Sequence, residues 1–438
     1  MCDSSASGTP ASGTASWSPS FSLFPDTLKR ELQPTGQAVP EAGAPSVIIA
    51  GMGATTAMGH GVTALRAALL ANTSGLRADV RFDSPRFQSN IVGAASLAAD
   101  SDNPAYDLAA AALREACEQS REILTPIPSA RIGLVLSTTK ANIEALERLA
   151  DGRACSPAAL RHLQGNLLAA DLAAEFGAGG DVQCVSAACV SGLVAIQQGA
   201  KIIQRGDADA VLVVGVDHLS AFVVAGFTAL KAIDPQGCRP FDQNRCGLSP
   251  GEAGAAIVLV RAGLGVPPSG GSGTPLPEGG TPNVIVRGWG TSNDANHLTG
   301  PSRDGSGLAL AIRTALAAAR LTPAEIDYVH AHGTGTPYND AMEALALKTI
   351  FGDACPPVSA SKGMLGHTLG AAGVVETIVC LLAMQGNFLP GTPRLTLAAD
   401  GAPASLVREP RSGVRLKNVL KLNTGFGGLN GALILSHE

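Results

Sequence analysis

A cysteine becomes a nucleophile where its thiolate is favoured, and the start of a helix is such a place. Cys189 lies in VSAACVSG (185–192), where a strand-like apolar run gives way to Leu193, Ile196, Ala200 and Ile203 at helical spacing. The unpaired N–H groups and positive dipole of the helix start would face its sulfur. Small neighbours Ala187, Ala188, Ser191 and Gly192 leave room for backbone and substrate to approach. The layout follows the strand–nucleophile–helix logic of hydrolases, with sulfur in place of oxygen. A lone cysteine in an apolar stretch is ordinarily a small buried hydrophobe. Cys184, mid-strand and without a glycine turn, reads that way.

Two later segments supply histidines. In YVHAHGTGTP (328–337) an apolar strand runs into a glycine-rich turn, with His332 at its end and His330 deeper on the same face. In SKGMLGHTLGAAG (361–373) His367 stands just before a helix, with Lys362 upstream and Glu376 downstream. Two neutral imidazoles donating N–H bonds to one carbonyl oxygen form an oxyanion hole, which stabilises an enolate. An enolate beside an acyl thioester on cysteine makes a carbon–carbon bond. Lys362, Asp340 and Glu376 are placed to hold the histidine tautomers. His330, His332, Asp340 and His367 can also be read as metal ligands. Their spacing suits strand–turn placement better than a metal motif, so no metal or other cofactor is expected.

Strands and helices alternate around these segments, which indicates a layered α/β protein. Strands are expected at 46–50, 131–138, 181–187, 210–216, 254–261, 283–289, 326–331, 356–360 and 418–424, followed by the run 427–436. Helices are expected at 104–122, 142–150, 158–176, 192–204, 305–320, 340–351 and 370–385. Residues 1–45, rich in Ser, Pro, Gly and Thr, are expected to be disordered. The Gly/Pro-rich insert 263–282 is expected to be a surface loop or a seam. The ordered chain then divides into 46–290, with the nucleophile, and 291–438, with the histidines.

Bulk properties exclude several classes. Of 438 residues 45% are hydrophobic and 15% charged, with net charge −5, which gives no footprint for nucleic acid or an anionic membrane. The nine cysteines are irregularly spaced and form no CxxC pair, so neither a disulfide framework nor a zinc ribbon is indicated and a reducing cytoplasm fits. Residues 1–20 lack the basic and apolar regions of a signal peptide. The apolar run 211–230 is broken by Asp217, His218, Gly215 and Gly226, and reads as a buried strand followed by a buried helix rather than a membrane span.

The chain resembles the β-ketoacyl-acyl carrier protein synthase family, the condensing enzymes of fatty acid and polyketide synthesis. The resemblance rests on SAACVSG (186–192), RPFDQNRCGLSPGEAG (239–254), TSNDANHLTGPSRDG (291–305), HAHGTGTPYNDAMEA (330–344), SKGMLGHTLGAAGVVE (361–376) and NTGFGGLNGAL (423–433), in order along the chain. It implies a thiolase-like fold of duplicated αβαβα halves, and a homodimer or a heterodimer with a related synthase. It implies that Cys189 accepts an acyl group from an acyl carrier protein, while His332 and His367 hold a malonyl thioester carbonyl during decarboxylation. Lys362, Asp340 and Glu376 would support them. The N–H of Cys189 and one from the loop Thr424, Gly425, Phe426 would hold the acyl oxyanion.

Three departures stand out. The last motif usually reads NSFGFGGTN, but Thr424 takes the place of its first, gating Phe and Leu429 that of its Thr. Cys246-Gly-Leu-Ser-Pro replaces a more usual Asp-Gly-Phe run. Val190 follows the nucleophile where a small residue is commoner, and would reshape the acyl tunnel. These point to a specialised synthase, such as one of secondary metabolism. A non-catalytic chain-length subunit of a ketosynthase heterodimer is the alternative, though such partners usually lack the nucleophile. A thiolase is disfavoured because thiolases pair the nucleophile with a second cysteine.

Overall fold

A computed structural model of the chain describes residues 45–96, 101–264 and 284–437. The expected extension 1–45 and insert 263–282 lie outside these, but for residues 45, 263 and 264.

The main strands are β1 (Val47–Thr56), β2 (Ile132–Ser137), β3 (Val182–Val185), β4 (Ala210–Asp217), β5 (Ala253–Arg261), β6 (Val284–Asn293), β7 (Tyr328–His330), β8 (Val358–Ser359), β9 (Asn418–Gly425) and β10 (Leu429–His437). The main helices are α1 (Pro104–Gln119), α2 (Gly165–Glu175), α3 (Ser191–Gln204), α4 (Ser306–Ala319), α5 (Pro337–Phe351) and α6 (Ala372–Gly386). One strand order occurs twice: β3-β2-β4-β5-β1, then β8-β7-β9-β10-β6. The pairing senses repeat as well, parallel for the first two neighbours and antiparallel for the next two. A single pairing of Ile48 with Ile285 joins β1 to β6.

Alternation along the strands divides the core into layers. On β4, Val211 and Val213 face an inner core with α3 and α6, while Leu212, Val214 and Val216 face an outer core with α1 and α2. On β10, Leu433 and Leu435 face the same inner core, while Ala432 and Ile434 pack with α4 and α5. The result is the expected αβαβα layering. Strands covered on both faces need no polar side, which explains their continuous apolar runs.

α6 is apolar on nearly every side, Glu376 and Thr377 apart, because it lies at the centre of the molecule. Residues Leu369–Gly386 form the one helix, among the described residues, long and apolar enough to cross a bilayer, and 89% of that window is buried in the protein. The run 211–230 resolves into strand β4 and a helix at Ala221–Ala229. That helix corrects the expectation of burial: only Val223 and Val224 are buried, and Phe222 is 65% exposed. The expected helix 158–176 is two helices, Pro157–Arg161 and α2, and a helix at Val62–Ala71 was not anticipated.

α3 and α6 cross with almost no separation. A Cβ on Gly192 would lie 2.6 Å from the Val374 nitrogen, and one on Gly373 would lie 2.4 Å from the Leu193 nitrogen. Neither clash can be relieved by turning a side chain. Gly373→Ala is therefore expected to cost about 1–3 kcal/mol, seen as a lowered Tm, and to slow alkylation of Cys189. A wild-type Tm would refute the close crossing.

Candidate active site

Cys189 sits at the turn into α3, just after Ala188, whose φ of 47° holds the backbone in the left-handed region. That turn points the sulfur away from the helix and toward the start of α6. The sulfur lies 3.0 Å from His367 Nε2, although the two residues are 178 apart in sequence. Gly425, at the end of β9, packs on the Cys189 nitrogen, and the backbone N–H of Phe426 hydrogen-bonds the sulfur. The Phe426 amide thus faces Sγ, and Gly425 leaves the Cys189 amide uncrowded.

The tautomers follow from the neighbours. His332 Nδ1 lies 3.1 Å from Lys362 Nζ and 2.9 Å from Asn423 Nδ2, both donors. Nδ1 must then accept, and the proton sits on Nε2. His367 Nδ1 accepts the backbone N–H of Leu369 at 3.3 Å, which places its proton on Nε2 as well. The two rings stand nearly perpendicular with centroids 5.2 Å apart. Both line one cavity of about 1030 Å³ with Cys189, Thr424 and Phe426. Its size suits a ligand much larger than water.

Burial and Lys362 hold His332 well below the usual imidazole range, and the same two causes bring His367 down to about 3. Burial pushes the Cys189 thiol up to about 11, against the lowering influence of Lys362 and the Phe426 N–H. Nε2–H of His367 can donate to that sulfur and favours its thiolate form.

Lys362 is fully buried and also donates to the His332 carbonyl at 2.6 Å and to Glu376. Burial would raise the Glu376 carboxyl, but Lys362 and Lys421 outweigh it and hold it at about 2. Lys421 Nζ lies 2.9 Å from Glu376 Oε2. Asp340 is not brought to the histidines. Its carboxylate accepts the N–H of Phe241 at 2.7 Å and of Gly335 at 3.2 Å, and so ties the turn after β7 to residue 241. Glu343, one turn further along α5, holds the histidine turn directly. It accepts the N–H groups of His332 and Gly333, each at 2.7 Å. Burial and Asp340 raise its carboxyl to about 7, against those two bonds. Thr424 donates to Asn339 at 2.6 Å, and Asn339 donates to Glu343 at 2.8 Å. Val190 is buried against Gly425 and Gly431 and does not line the cavity.

Sequence reasoning missed Asn423, Lys421, Glu343 and Asn339. A signal existed for two of them: Lys421 and Asn423 are polar residues of one parity within the apolar stretch Val419–Leu422 and its end.

Cys189, His332 and His367 offer ligand atoms within 4.8 Å of one another. A metal-binding histidine usually donates its other ring N–H to an acceptor. Here Nδ1 of both rings faces donors, which suits N–H donation into the cavity, and neither His330 nor Asp340 joins the cluster.

Comparison with known proteins agrees with this geometry. A family described as beta-ketoacyl synthase, N-terminal domain, matches residues 80–263, and its C-terminal domain matches residues 284–396. The chain is 32% identical over 415 residues to 3-oxoacyl-(acyl-carrier-protein) synthase 2 of Vibrio cholerae, spanning 89% of this chain and 98% of that protein. The chain belongs to the β-ketoacyl synthase family. This β-ketoacyl synthase is also 31% identical over 421 residues to the tetracenomycin polyketide synthase ketoacyl synthase alpha subunit of Streptomyces glaucescens, covering 89% of this chain and 96% of that one. Among solved structures, the ishigamide ketosynthase/chain length factor superposes with a TM-score of 0.81 at 29% identity, covering 90% of this chain and 100% of that chain. This β-ketoacyl synthase is accordingly an acyltransferase of the condensing type.

The thiol of this synthase should alkylate slowly at neutral pH. Its rate with iodoacetamide is expected to rise through the alkaline range toward a midpoint near 11, the value to which burial raises it. A midpoint below the ordinary thiol value would show that the cations and amides, not burial, dominate at Sγ.

Proposed function

We propose that the chain catalyses decarboxylative Claisen condensation between an acyl group on Cys189 and a malonyl group, both delivered by an acyl carrier protein. The acyl thioester transfers to Sγ, and the carrier thiol leaves. The malonyl thioester then places its carbonyl oxygen against Nε2–H of His332 and His367. The bond to its carboxylate breaks, CO2 departs, and the electron pair becomes an enolate held by those two donors. The enolate carbon attacks the acyl-cysteine carbonyl, whose oxygen is held by the N–H groups of Cys189 and Phe426. Collapse expels the Cys189 thiolate and leaves a β-ketoacyl product on the carrier. Splitting the reaction at a covalent intermediate lowers each barrier.

The observation that carries this reading is the 3.0 Å approach of His367 Nε2 to Cys189 Sγ, with a ring nitrogen of His332 within 4.8 Å of both. It also weighs against the non-catalytic chain-length subunit, since nucleophile and both donors are assembled. Fatty acid or polyketide-type biosynthesis is the setting, and Thr424 at the gating position supports a specialised acyl range. One solved relative is a ketosynthase with a chain length factor, which supports a paired assembly here, with a second copy or a related synthase. Two halves, 46–290 and 291–438, are part of the same reading; the repeated strand order supports the division but assigns β6 (Val284–Asn293) whole to the second half. So is a cytoplasmic setting, supported by eight described cysteines, none of them in a disulfide.

Cys189→Ala should abolish condensation, whereas Cys189→Gln, whose amide imitates an acyl-cysteine, should keep malonyl decarboxylation. Product formation and CO2 release from malonyl-carrier separate the two. Equal loss of both in Cys189→Gln would count against this division of labour.

A further inference from the structure

Lys421 has no part in the reaction as described, yet it is fully buried behind the histidines. Strand alternation on β9 sends Val419 to the inner core and Leu420 and Leu422 to the outer one, so Lys421 and Asn423 share the inner face. Lys421 Nζ donates to Glu376 Oε2 at 2.9 Å and to the Leu422 carbonyl. Asn423 donates to the same Oε2 at 3.1 Å and to His332 Nδ1 at 2.9 Å. Oε1 is left for Lys362, which in turn donates to His332 Nδ1. A buried cation is costly unless something uses it, and one lysine already suffices to pair with Glu376.

Lys362 and Lys421 are two amines on one carboxylate, Glu376; burial lowers the Lys421 amine and Glu376 opposes that by favouring its cation. We infer that Lys421 is a positioning residue of the condensing site: it locks Glu376 and Lys362 in register and keeps His332 and His367 as neutral N–H donors. A neutral donor holds the enolate oxygen without protonating it. Both imidazoles are held low by burial and Lys362, with Lys421 adding in the same direction. The other groups facing them are Glu376, which raises His367, the Cys189 thiol, His330, and each ring the other. Glu343 touches only the backbone of the His332 turn.

The inference rests on the condensing reading, but it can be tested apart from it. Lys421→Gln keeps a donor for Glu376 and removes the charge, Lys421→Met removes both, and Lys421→Arg keeps both. NMR titration of the His332 and His367 rings, assigned with His→Ala variants, needs no turnover. Removing the cation should raise both ring pKa values, in Gln and Met alike, and Arg should restore them. With malonyl-coenzyme A as probe, CO2 release should fall about tenfold or more, less than loss of a direct oxyanion donor costs. The acid limb of its pH profile should move to higher pH, because the rings now protonate sooner. Unmoved ring pKa values and acid limb in Lys421→Gln, with only a lower Tm, would overturn the inference and leave Lys421 structural. If Lys421→Met does not fold, Lys421→Gln decides. Wild-type protein that releases no CO2 from malonyl-carrier either would instead sink the condensing reading, while the ring titration would still decide on Lys421.

Discussion

Everything at the site depends on two helices touching at glycine. α3 carries Cys189 at its start, and the turn leading into α6 carries His367. These helices can place sulfur and imidazole 3.0 Å apart because Gly192 and Gly373 meet backbone to backbone. Ordinary helix pairs keep their axes 8–10 Å apart through intervening side chains. The surrounding layers serve this crossing: each sheet covers one side of the inner helices, and α1, α2, α4 and α5 close the outer faces. The strained Ala188 turn is tolerated because α3 and β9 hold it from both sides.

Around the crossing lies a polar cluster that would be expensive in isolation. Lys362, Lys421, Glu376, Asn423 and His332 are all buried. Their hydrogen bonds interlock, so each group is oriented by the next and none can turn alone. The direction of donation matters more than the count of bonds. Donors converge on Nδ1 of His332, which forces the Nε2 proton toward the cavity. A second chain, Thr424 to Asn339 to Glu343, ties the end of β9 to the turn that carries His332. The site's preorganisation therefore extends well beyond the groups that touch substrate.

Much of this was legible in the residues. The apolar strands, the helix-start cysteine and the two glycine-turn histidines each carry a local signature, because periodicity and turn chemistry act over a few residues. The fold class followed from their alternation. Partner choice was less legible. Asp340 and Glu343 are a helical turn apart on α5, and spacing could not say which would reach the histidine turn. Val190 next to the nucleophile suggested a tunnel wall, but the start of α3 turns it into the core against Gly425 and Gly431.

The sequence alone determined the chemistry on offer: one thiol at a helix start, two histidines before glycine turns, and lysines and carboxylates able to orient them. It also determined the layering, since each strand's alternating residues already specify two buried faces. Only the tertiary structure decided which ring nitrogen faces the cavity, which carboxylate supports which loop, and that Lys421 lies behind the site. Those outcomes depend on contacts between separate segments, up to 99 residues apart for Phe241 and Asp340, and on how closely α3 and α6 approach. No local pattern records that distance.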